Sequence, residues 1–258
     1  MIKTVSFHNV NFMTLEELLQ DNRYDFIKKL MEERRLIYLT VSGSHAYGVA
    51  TPASDLDIRG ICLETPEELL GLSSFEQIDN RETDTVIYGL KKFVKLCSNC
   101  NPNILEMLGT REEDIIYIDD IGRQLRDNID LFVSKEVYYT FGGFAKSELG
   151  RIKKLTDDEK KRKAMYHYIR LMKMGSEILM TGKVNTYRKN DTAILRNIRN
   201  GKISYEAFLH LQEIHKEMLD TSFKRSKIKE KDIAGINDFL VQIYTELILE
   251  KYKEYFRL

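Results

Sequence analysis

The sequence has few of the features that mark membrane-spanning or disulfide-stabilised proteins. Only three of its 258 residues are cysteine, too few for a disulfide framework. No stretch approaches the roughly eighteen apolar residues that a membrane span needs, and no basic segment leads into an apolar secretory leader. Because 43% of the residues are hydrophobic, a packed core is possible. The sequence therefore predicts a globular cytoplasmic protein that does not associate with a membrane.

Cys97 and Cys100 form a single CxxC pair. A structural zinc site needs four ligands, and no second CxxC or paired histidine segment completes the set. In a thioredoxin-like site the pair begins a helix after a strand, whereas here it ends an apolar run. We interpret the pair as two cysteines at the end of a helix.

The net charge is zero, but the charges are unevenly distributed along the chain. Residues 1–120 contain 12 Lys and Arg against 21 Asp and Glu, whereas residues 121–258 contain 28 against 19. An acidic part can gather cations and a basic part can meet polyanions. Solvated helix faces are an alternative explanation for the basic residues.

Proline is scarce too, and none of the three prolines lies after Pro102. Turn signals crowd the first 120 residues, whereas apolar residues after about residue 120 recur at helical spacing. The patterns predict a helix from Thr14 to about Arg35, strands at 36–41, 56–63 and 83–88, and short helices after Thr65, at 91–96 and around Glu106. The rest should be helical, with a capping box at 156–159 and stops at Gly182 and Gly201.

The most informative feature is a strand that ends at Gly43-Ser44, a ten-residue loop, and Asp55-Leu56-Asp57 at the start of the next strand. Side chains alternate on a strand, so both aspartates should share a face, with Cα atoms about 6.5 to 7 Å apart and Leu56 in the core. Carboxylates so spaced can bridge two Mg²⁺ ions about 3.5 to 4 Å apart, as in nucleotidyl transfer.

Gly43 and Ser44 suit the other half of such a site. A glycine lets the backbone approach a phosphate, and the serine that follows can donate its hydroxyl and N–H to it. An Asp-x-Asp pair alone is usually a metal-free surface pair. The combination, in this order and between two strands, favours a site for metal and triphosphate.

This order of residues resembles the signature of the DNA polymerase beta superfamily of nucleotidyltransferases. The longer string from Gly43 to Gly60 resembles a narrower branch, the nucleotidyltransferases associated with RNA repair in bacteria and phages. The similarity extends, more loosely, to Val86-Ile87-Tyr88, Lys92-Phe93, Asn101-Pro102-Asn103, Glu106, His167, Arg170 and the segment from Leu195 to Gly201.

The resemblance implies an α+β fold with two domains. A polymerase-beta-like mixed sheet with flanking helices would form the catalytic domain, residues 1–120. An all-helical C-terminal domain, residues 121–258, would bind substrate. The superfamily also needs a third carboxylate, for which Asp84 is our choice and Glu82 the reserve. Asp55, Asp57 and Asp84 would then be the catalytic residues and hold two Mg²⁺ ions, or Mn²⁺.

Seven residues are candidates for nucleotide binding: Gly43, Ser44, His45, Tyr47, Arg59, His167 and Arg170. His45 and Tyr47 would touch phosphates or stack on a base, or be structural. Arg59 would neutralise a phosphate or orient the aspartates through a salt bridge. His167 and Arg170 lie at i, i+3 on one predicted helix face with Lys163 and Lys173 on neighbouring turns, or are a packed histidine and a surface arginine. Further basic candidates are Arg188, Lys189, Arg196, Arg199 and Lys202.

The expected reaction moves a nucleoside monophosphate from an NTP, either ATP or CTP, to a hydroxyl, with release of pyrophosphate. The expected acceptor is nucleic acid, an RNA end such as that of tRNA. Alternatives are a protein or small-molecule acceptor, or a non-catalytic protein that binds nucleotide or RNA. The sequence leaves open the oligomeric state and the number of nucleotides added.

Overall fold

The structure, a computed structural model, describes residues 14–251. Its centre is a five-stranded sheet in the order β3-β4-β2-β1-β5. The strands are β1 (Leu36–Val41), β2 (Ile58–Cys62), β3 (Gln77–Asn80), β4 (Thr85–Gly89) and β5 (Ile115–Ile118). β1 is antiparallel to β2 and β5, β3 is antiparallel to β4, and β2 and β4 are parallel. The sheet is therefore mixed, as the sequence predicts.

Strand direction brings three segments of the chain to one edge of the sheet. Ile58 at the start of β2 pairs with Thr85 at the start of β4, because these strands are parallel. Ile58 also pairs with Val41 at the end of the antiparallel β1. Residues just after β1 and just before β2 and β4 must therefore meet at this edge.

The prediction of one N-terminal helix from Thr14 to about Arg35 is wrong. Thr14 caps α1 (Leu15–Gln20) through the predicted capping box, but the helix ends at Asp21. Asp21 adopts an extended conformation, and its carboxylate accepts a hydrogen bond from the Arg23 N–H, which begins a 3₁₀ turn before α2 (Asp25–Glu32). A side chain that can cap a new helix thus divides the predicted one.

Four more helices lie between the strands: α3 (Gly43–Ala46), α4 (Pro66–Leu70), α5 (Leu90–Ser98) and α6 (Pro102–Leu108). Pro66 lies in the first turn of α4, as predicted, and Thr65 caps this helix with a capping box. The segment predicted as a loop from residue 45 begins instead inside the short helix α3. Cys97 lies in the last turn of α5 and Cys100 just after it, and both thiols are free and buried.

From Asp120 to Lys251 the chain is helical, as predicted. The helices are α7 (Asp120–Asp127), α8 (Ile129–Phe132), α9 (Glu136–Ile152), α10 (Asp158–Thr181), α11 (Thr192–Arg199), α12 (Tyr205–Arg225) and α13 (Ile233–Lys251). Gly182 ends α10 in a left-handed conformation, as expected of a C-terminal glycine. The cap at the start of α10 is Asp157, one residue later than the predicted Thr156.

A large core joins the sheet to the helical region. Its buried residues run from Ile37 in β1 to Ile243 in α13, and Tyr166 and Ile169 of the long helix α10 lie among them. A smaller cluster, including Leu18, packs α1 and α2 on the sheet. The α+β class with a helical C-terminal region is confirmed, while the predicted domain boundary at residue 120 stays a prediction. No helix within residues 14–251 is both long and apolar enough to cross a membrane.

Candidate active site

A cleft of about 670 Å³ opens at the sheet edge where β1 ends and β2 and β4 begin. Residues from the first half of the chain that line it include Gly43, Ser44, Tyr47, Asp55, Asp57, Arg59, Asp84 and Glu106. Residues from α10 and α11 that line it include Arg162, Lys163, Tyr166, His167 and Arg199. The sheet and the helical region thus form the cleft together.

Asp55, Leu56 and Asp57 lie in a loop, because β2 begins only at Ile58. The prediction that the strand starts at Leu56 is therefore wrong by two residues. The loop nevertheless ends in a fixed position: the Ser42 N–H donates to the Asp57 carbonyl over 2.8 Å, and the Ile58 N–H donates to the Asp84 carbonyl over 3.2 Å. Leu56 packs against the smaller core cluster, as expected.

Asp57 and Asp84 lie side by side, each one residue before a strand. Burial and then the negative charge of Asp84 raise the pKa of Asp57 to about 6, against the lowering effect of Arg59. Arg59 Nη2 lies 3.6 Å from Asp57 Oδ1 and 3.2 Å from Asp84 Oδ1. Arg59 thus forms salt bridges with both aspartates, and because it also lines the cleft, its role towards a phosphate stays a prediction.

Asp84 and Glu82 take different positions in the turn between β3 and β4. Asp84 lines the cleft, with a φ of 45°. Glu82 is exposed, and its N–H donates to Asn80 Oδ1 over 3.0 Å. Residues 81–84 form a turn, so the two acids do not lie on one face of a strand although they are two residues apart. Of these two acids, only Asp84 lines the cleft.

The donors at this edge suit a divalent cation in their chemistry. Carboxylate and hydroxyl oxygens are the ligands that Mg²⁺ prefers, and a cation would relieve the repulsion between Asp57 and Asp84. Within residues 14–251, however, no three His, Cys, Asp or Glu side chains converge into a metal-binding group. Asp55 lines the cleft from an exposed position on the loop. The chemistry of Asp57 and Asp84 suits a cation, but a metal ion at this edge, the second ion and Asp55 as a ligand all stay predictions.

Gly43 approaches Asp57 too closely for any side chain. A Cβ atom on Gly43 would lie 1.9 Å from Asp57 Oδ2, and the residue has a φ of +61°. Both the close approach and the left-handed backbone require glycine. The turn that carries Ser44 is thereby pressed against the carboxylate, a contact that the sequence does not reveal.

Tyr47 and Arg170 belong to a buried network centred on Glu106. The Tyr47 hydroxyl donates to Glu106 Oε2 over 2.6 Å, and Arg170 forms an ion pair with the same carboxylate. The Arg170 guanidinium also lies 4.0 Å from the centre of the Tyr47 ring. Arg170 is almost fully buried and is not among the cleft-lining residues. The prediction that Arg170 lies on a nucleotide-binding helix face is therefore wrong, because the ion pair with Glu106 keeps its side chain buried.

His45 and His167 differ in their relation to the cleft. His45 is not among the cleft-lining residues, and its Nε2 lies 3.4 Å from the Ser54 carbonyl. His167 lines the cleft and lies against Tyr166, with 4.2 Å between ring centres. Burial, then the charges of Arg170 and Lys163, lowers the pKa of His167 well below its usual value. His167 is thus neutral near pH 7.

Lys163, Arg170 and Lys173 do not form the shared basic surface that the helical spacing predicts. Lys163 is exposed and lines the cleft, whereas Lys173 pairs with Asp191 over 2.9 Å. The sequence patterns did not single out Arg162 and Tyr166, both of which line the cleft. Their positions, one residue before Lys163 and His167 and four residues apart, are a helical signal that would have found them.

Three comparisons place the chain among known proteins. The RNA repair pathway DNA polymerase beta family matches residues 13–242. An uncharacterised 38.9 kDa protein from the nrdC-mobD intergenic region of Enterobacteria phage T4 is 31% identical over 127 residues, which are 43% of this chain and 35% of that protein. The chain thus matches about a third of the length of that relative.

Among solved structures, the chain is similar to a nucleotidyltransferase-like protein from Exiguobacterium sibiricum. The TM-score is 0.30 and the sequence identity 10%, over 88% of this chain and 79% of that chain. The family match takes in both the sheet and most of the helical region. The resemblance expected from the residues between Gly43 and Gly60 is confirmed, and the chain belongs to the RNA repair pathway DNA polymerase beta family.

Proposed function

We propose that the protein transfers a nucleoside monophosphate from an NTP to a hydroxyl acceptor, with the help of a divalent metal. The acceptor oxygen attacks the α-phosphorus, the bond from the α-phosphorus to the bridging oxygen breaks, and pyrophosphate leaves. The observation that carries the proposal is the meeting of Gly43-Ser44, Asp57 and Asp84 at one sheet edge, fixed by the pairing of Ile58 with Val41 and Thr85.

Each residue at this edge has a proposed role. Asp57 and Asp84 hold Mg²⁺, with Asp55 as a further ligand, and the ion supplies charge stabilisation at the reacting phosphate. Ser44 donates its hydroxyl and N–H to the triphosphate. Asp84 accepts the proton of the attacking hydroxyl, and Arg59 holds the two carboxylates in place.

The proposed substrates are ATP or CTP and an RNA end. The family is named for RNA repair, and residues 121–258, which contribute Arg162, Lys163 and Arg199 to the cleft, have an excess of basic residues. A polyanionic acceptor is drawn to such a surface. His167, which lines the cleft and is neutral, would contact a base or ribose.

The test is to incubate the protein with each α-labelled NTP, Mg²⁺ and total RNA, protein or small-molecule extract. Label on RNA supports the proposal in full. Label on protein or a small molecule would keep the chemistry and reject the acceptor, and absence of label from every fraction would reject transfer.

The matched variant is Asp57→Asn, which keeps the size of the side chain and removes its charge. We expect transfer to fall by at least about a hundredfold, equivalent to about 2.7 kcal/mol of transition-state stabilisation. The fold should persist, because the change removes repulsion with Asp84. Wild-type transfer by this variant would show that the assigned edge is not the active site.

A further inference from the structure

Two arginines of α11 bind the loop that leads to Asp55. Arg196 Nη2 donates to the Gly48 carbonyl over 2.8 Å. Arg199 Nη1 donates to the Val49 carbonyl over 2.9 Å, and its Nη2 donates to Ser54 Oγ over 3.0 Å. The two arginines therefore hold this loop through three hydrogen bonds.

Ser54 is where these contacts converge. The Thr51 N–H donates to Ser54 Oγ over 2.9 Å, and the Ser54 N–H donates back to the Thr51 carbonyl over 2.9 Å. The residue that follows Ser54 is Asp55. A bond to Ser54 Oγ thus fixes the backbone immediately before the first aspartate of the pair.

The far end of the loop is fixed by the sheet. The Asp57 carbonyl accepts from the Ser42 N–H over 2.8 Å, and Ile58 pairs with Val41. Asp55 and Asp57 therefore lie between one anchor made by the sheet and another made by α11. The second anchor comes from residues about 150 positions later in the chain.

We propose that Arg196 and Arg199 are positioning residues, which hold the loop so that Asp55 stays at the cleft beside Asp57. The value of this position for catalysis rests on the proposed function. A guanidinium can donate in two directions at once, as Arg199 does to Val49 and Ser54, whereas a lysine ammonium is a point charge. The two hydrogen bonds from position 199 to the loop therefore require an arginine there, and a positive charge alone does not suffice.

Arg199 also lines the cleft, so its positioning role must be separated from contact with substrate. Arg196 binds the loop but is not among the cleft-lining residues, and Lys163 lines the cleft from α10. These three residues allow a matched design. The variants are Arg196→Gln, Arg199→Gln, Arg199→Lys, the double variant Arg196→Gln/Arg199→Gln, and Lys163→Gln as the cleft control.

The first measurement is amide hydrogen exchange in peptides that cover residues 48–57, with β1 and β2 as internal references. We expect exchange in the loop of the double variant to become at least about tenfold faster, because three hydrogen bonds to the loop are lost. Exchange in the strands should not change, which shows that the fold persists. Lys163→Gln should leave exchange in the loop unchanged.

The second measurement is the Kd for Mn²⁺, by calorimetry or electron paramagnetic resonance. Loss of positive charge near the aspartates would by itself tighten cation binding. The positioning role predicts the opposite sign: binding at least about fivefold weaker in the double variant, and also weaker in Arg199→Lys, which keeps the charge. Lys163→Gln should not weaken Mn²⁺ binding. In transfer assays, kcat of Arg196→Gln should fall while KM for the NTP stays near wild type.

Two results would overturn the proposal. One is a double variant with wild-type loop exchange and wild-type Mn²⁺ affinity. The other is Arg199→Lys behaving as wild type while Arg199→Gln is defective, since charge would then suffice. Failure of the proposed function is distinguishable: the wild-type protein would neither bind Mn²⁺ nor transfer nucleotide, and the exchange measurements would still decide whether the arginines hold the loop.

Discussion

Asp57 and Asp84 place two carboxylates next to each other where solvent is partly excluded. Burial and the charge of Asp84 raise the pKa of Asp57 to about 6, and Arg59 offsets this only in part. Such an arrangement costs stability in the absence of a cation. Groups with perturbed pKa values in a cleft are typical of functional sites. The cation proposed for this edge would relieve the unfavourable contact.

Gly43→Ala tests the closest contact at this edge. The new Cβ would meet Asp57 Oδ2 at 1.9 Å, so the carboxylate must move, and we expect Mn²⁺ binding and nucleotide transfer to be lost. The control is Gly182→Ala, where φ is +73° but a Cβ meets nothing within 4 Å. This control should lose about 1 kcal/mol of unfolding free energy from backbone strain and keep Mn²⁺ binding. If both variants bind Mn²⁺ equally well, the contact with Asp57 is unimportant.

Asp84→Asn and Glu82→Gln compare the two candidates for the third acid. Asparagine tolerates the left-handed backbone that Asp84 adopts at a φ of 45°, so the fold should be retained in both variants. We expect at least about a hundredfold loss of transfer for Asp84→Asn, or about 2.7 kcal/mol, and near-wild-type transfer for Glu82→Gln. Steady-state transfer rates at saturating NTP provide the comparison. Similar mild losses in both variants would mean that the third acid lies elsewhere.

At the scale of elements, the three longer strands β1, β2 and β4 were predictable, and the four-residue edge strands β3 and β5 were not. β1 is buried along its whole length, and its sequence shows this. β3 and β5 have four residues each, and β3 reads Gln-Ile-Asp-Asn, a mostly polar edge strand without a clear period. The break at Asp21 depends on a cap that competes with the helical pattern. The local sequence pattern thus predicts buried strands but not edge strands or the break within a helix.

The buried position of Arg170 shows a second limit of prediction from the local sequence pattern. Its partner Glu106 lies 64 residues earlier in the chain, and the helical spacing of α10 alone gives no sign of it. The pair, with Tyr47, ties α3, α6 and α10 together behind the cleft. Its energetic role can be measured, because removal of one partner leaves the other buried without its counter-charge.

A double-mutant cycle on Glu106 and Arg170 tests this network. We expect Arg170→Met and Glu106→Gln each to lower the unfolding free energy by about 3 to 5 kcal/mol, because each leaves a buried group unpaired. The double variant Glu106→Gln/Arg170→Met should lose clearly less than the sum. Arg151→Met, which breaks an exposed pair with Glu148, is the control and should cost less than about 1 kcal/mol. Urea denaturation supplies the values, and strict additivity would argue against a coupled network.

At the scale of the whole molecule, the acidic and the basic parts of the sequence meet at the cleft. The acidic first half contributes Asp55, Asp57 and Asp84 to the cleft, and the basic second half contributes Arg162, Lys163 and Arg199. The sequence predicted the two charge classes and the order of the Gly-Ser and Asp-x-Asp motifs. Its basic candidates included Lys163 and Arg199 but not Arg162, and they also included Arg170 and Lys173, which do not line the cleft. Which of them line the cleft depends on how α10 and α11 pack on the sheet.

The end of α9 and the start of α10 are the place to test RNA binding. Arg170 is buried and Lys173 is paired with Asp191, so neither is suited to meet phosphates. Lys153, Lys154 and Lys160 are exposed on this connection, next to the part of α10 that lines the cleft. Replacement of all three by glutamine removes three positive charges without changing a cleft-lining residue.

We expect this triple variant to bind RNA more weakly. The slope of log K against log salt concentration should become shallower by about 2, because each of three phosphate contacts to a single strand contributes about 0.7. The loss should be similar for unrelated RNA sequences, because phosphate contacts carry no sequence information, and the Kd for Mg²⁺-NTP should stay unchanged. Titration of labelled RNA at several salt concentrations measures both quantities. The matched control replaces the exposed Lys224 in the last turn of α12 and the exposed Lys227 and Lys229 after this helix, which changes the net charge equally. If both triple variants lose the same affinity, RNA responds to total charge and has no preferred path beside the cleft.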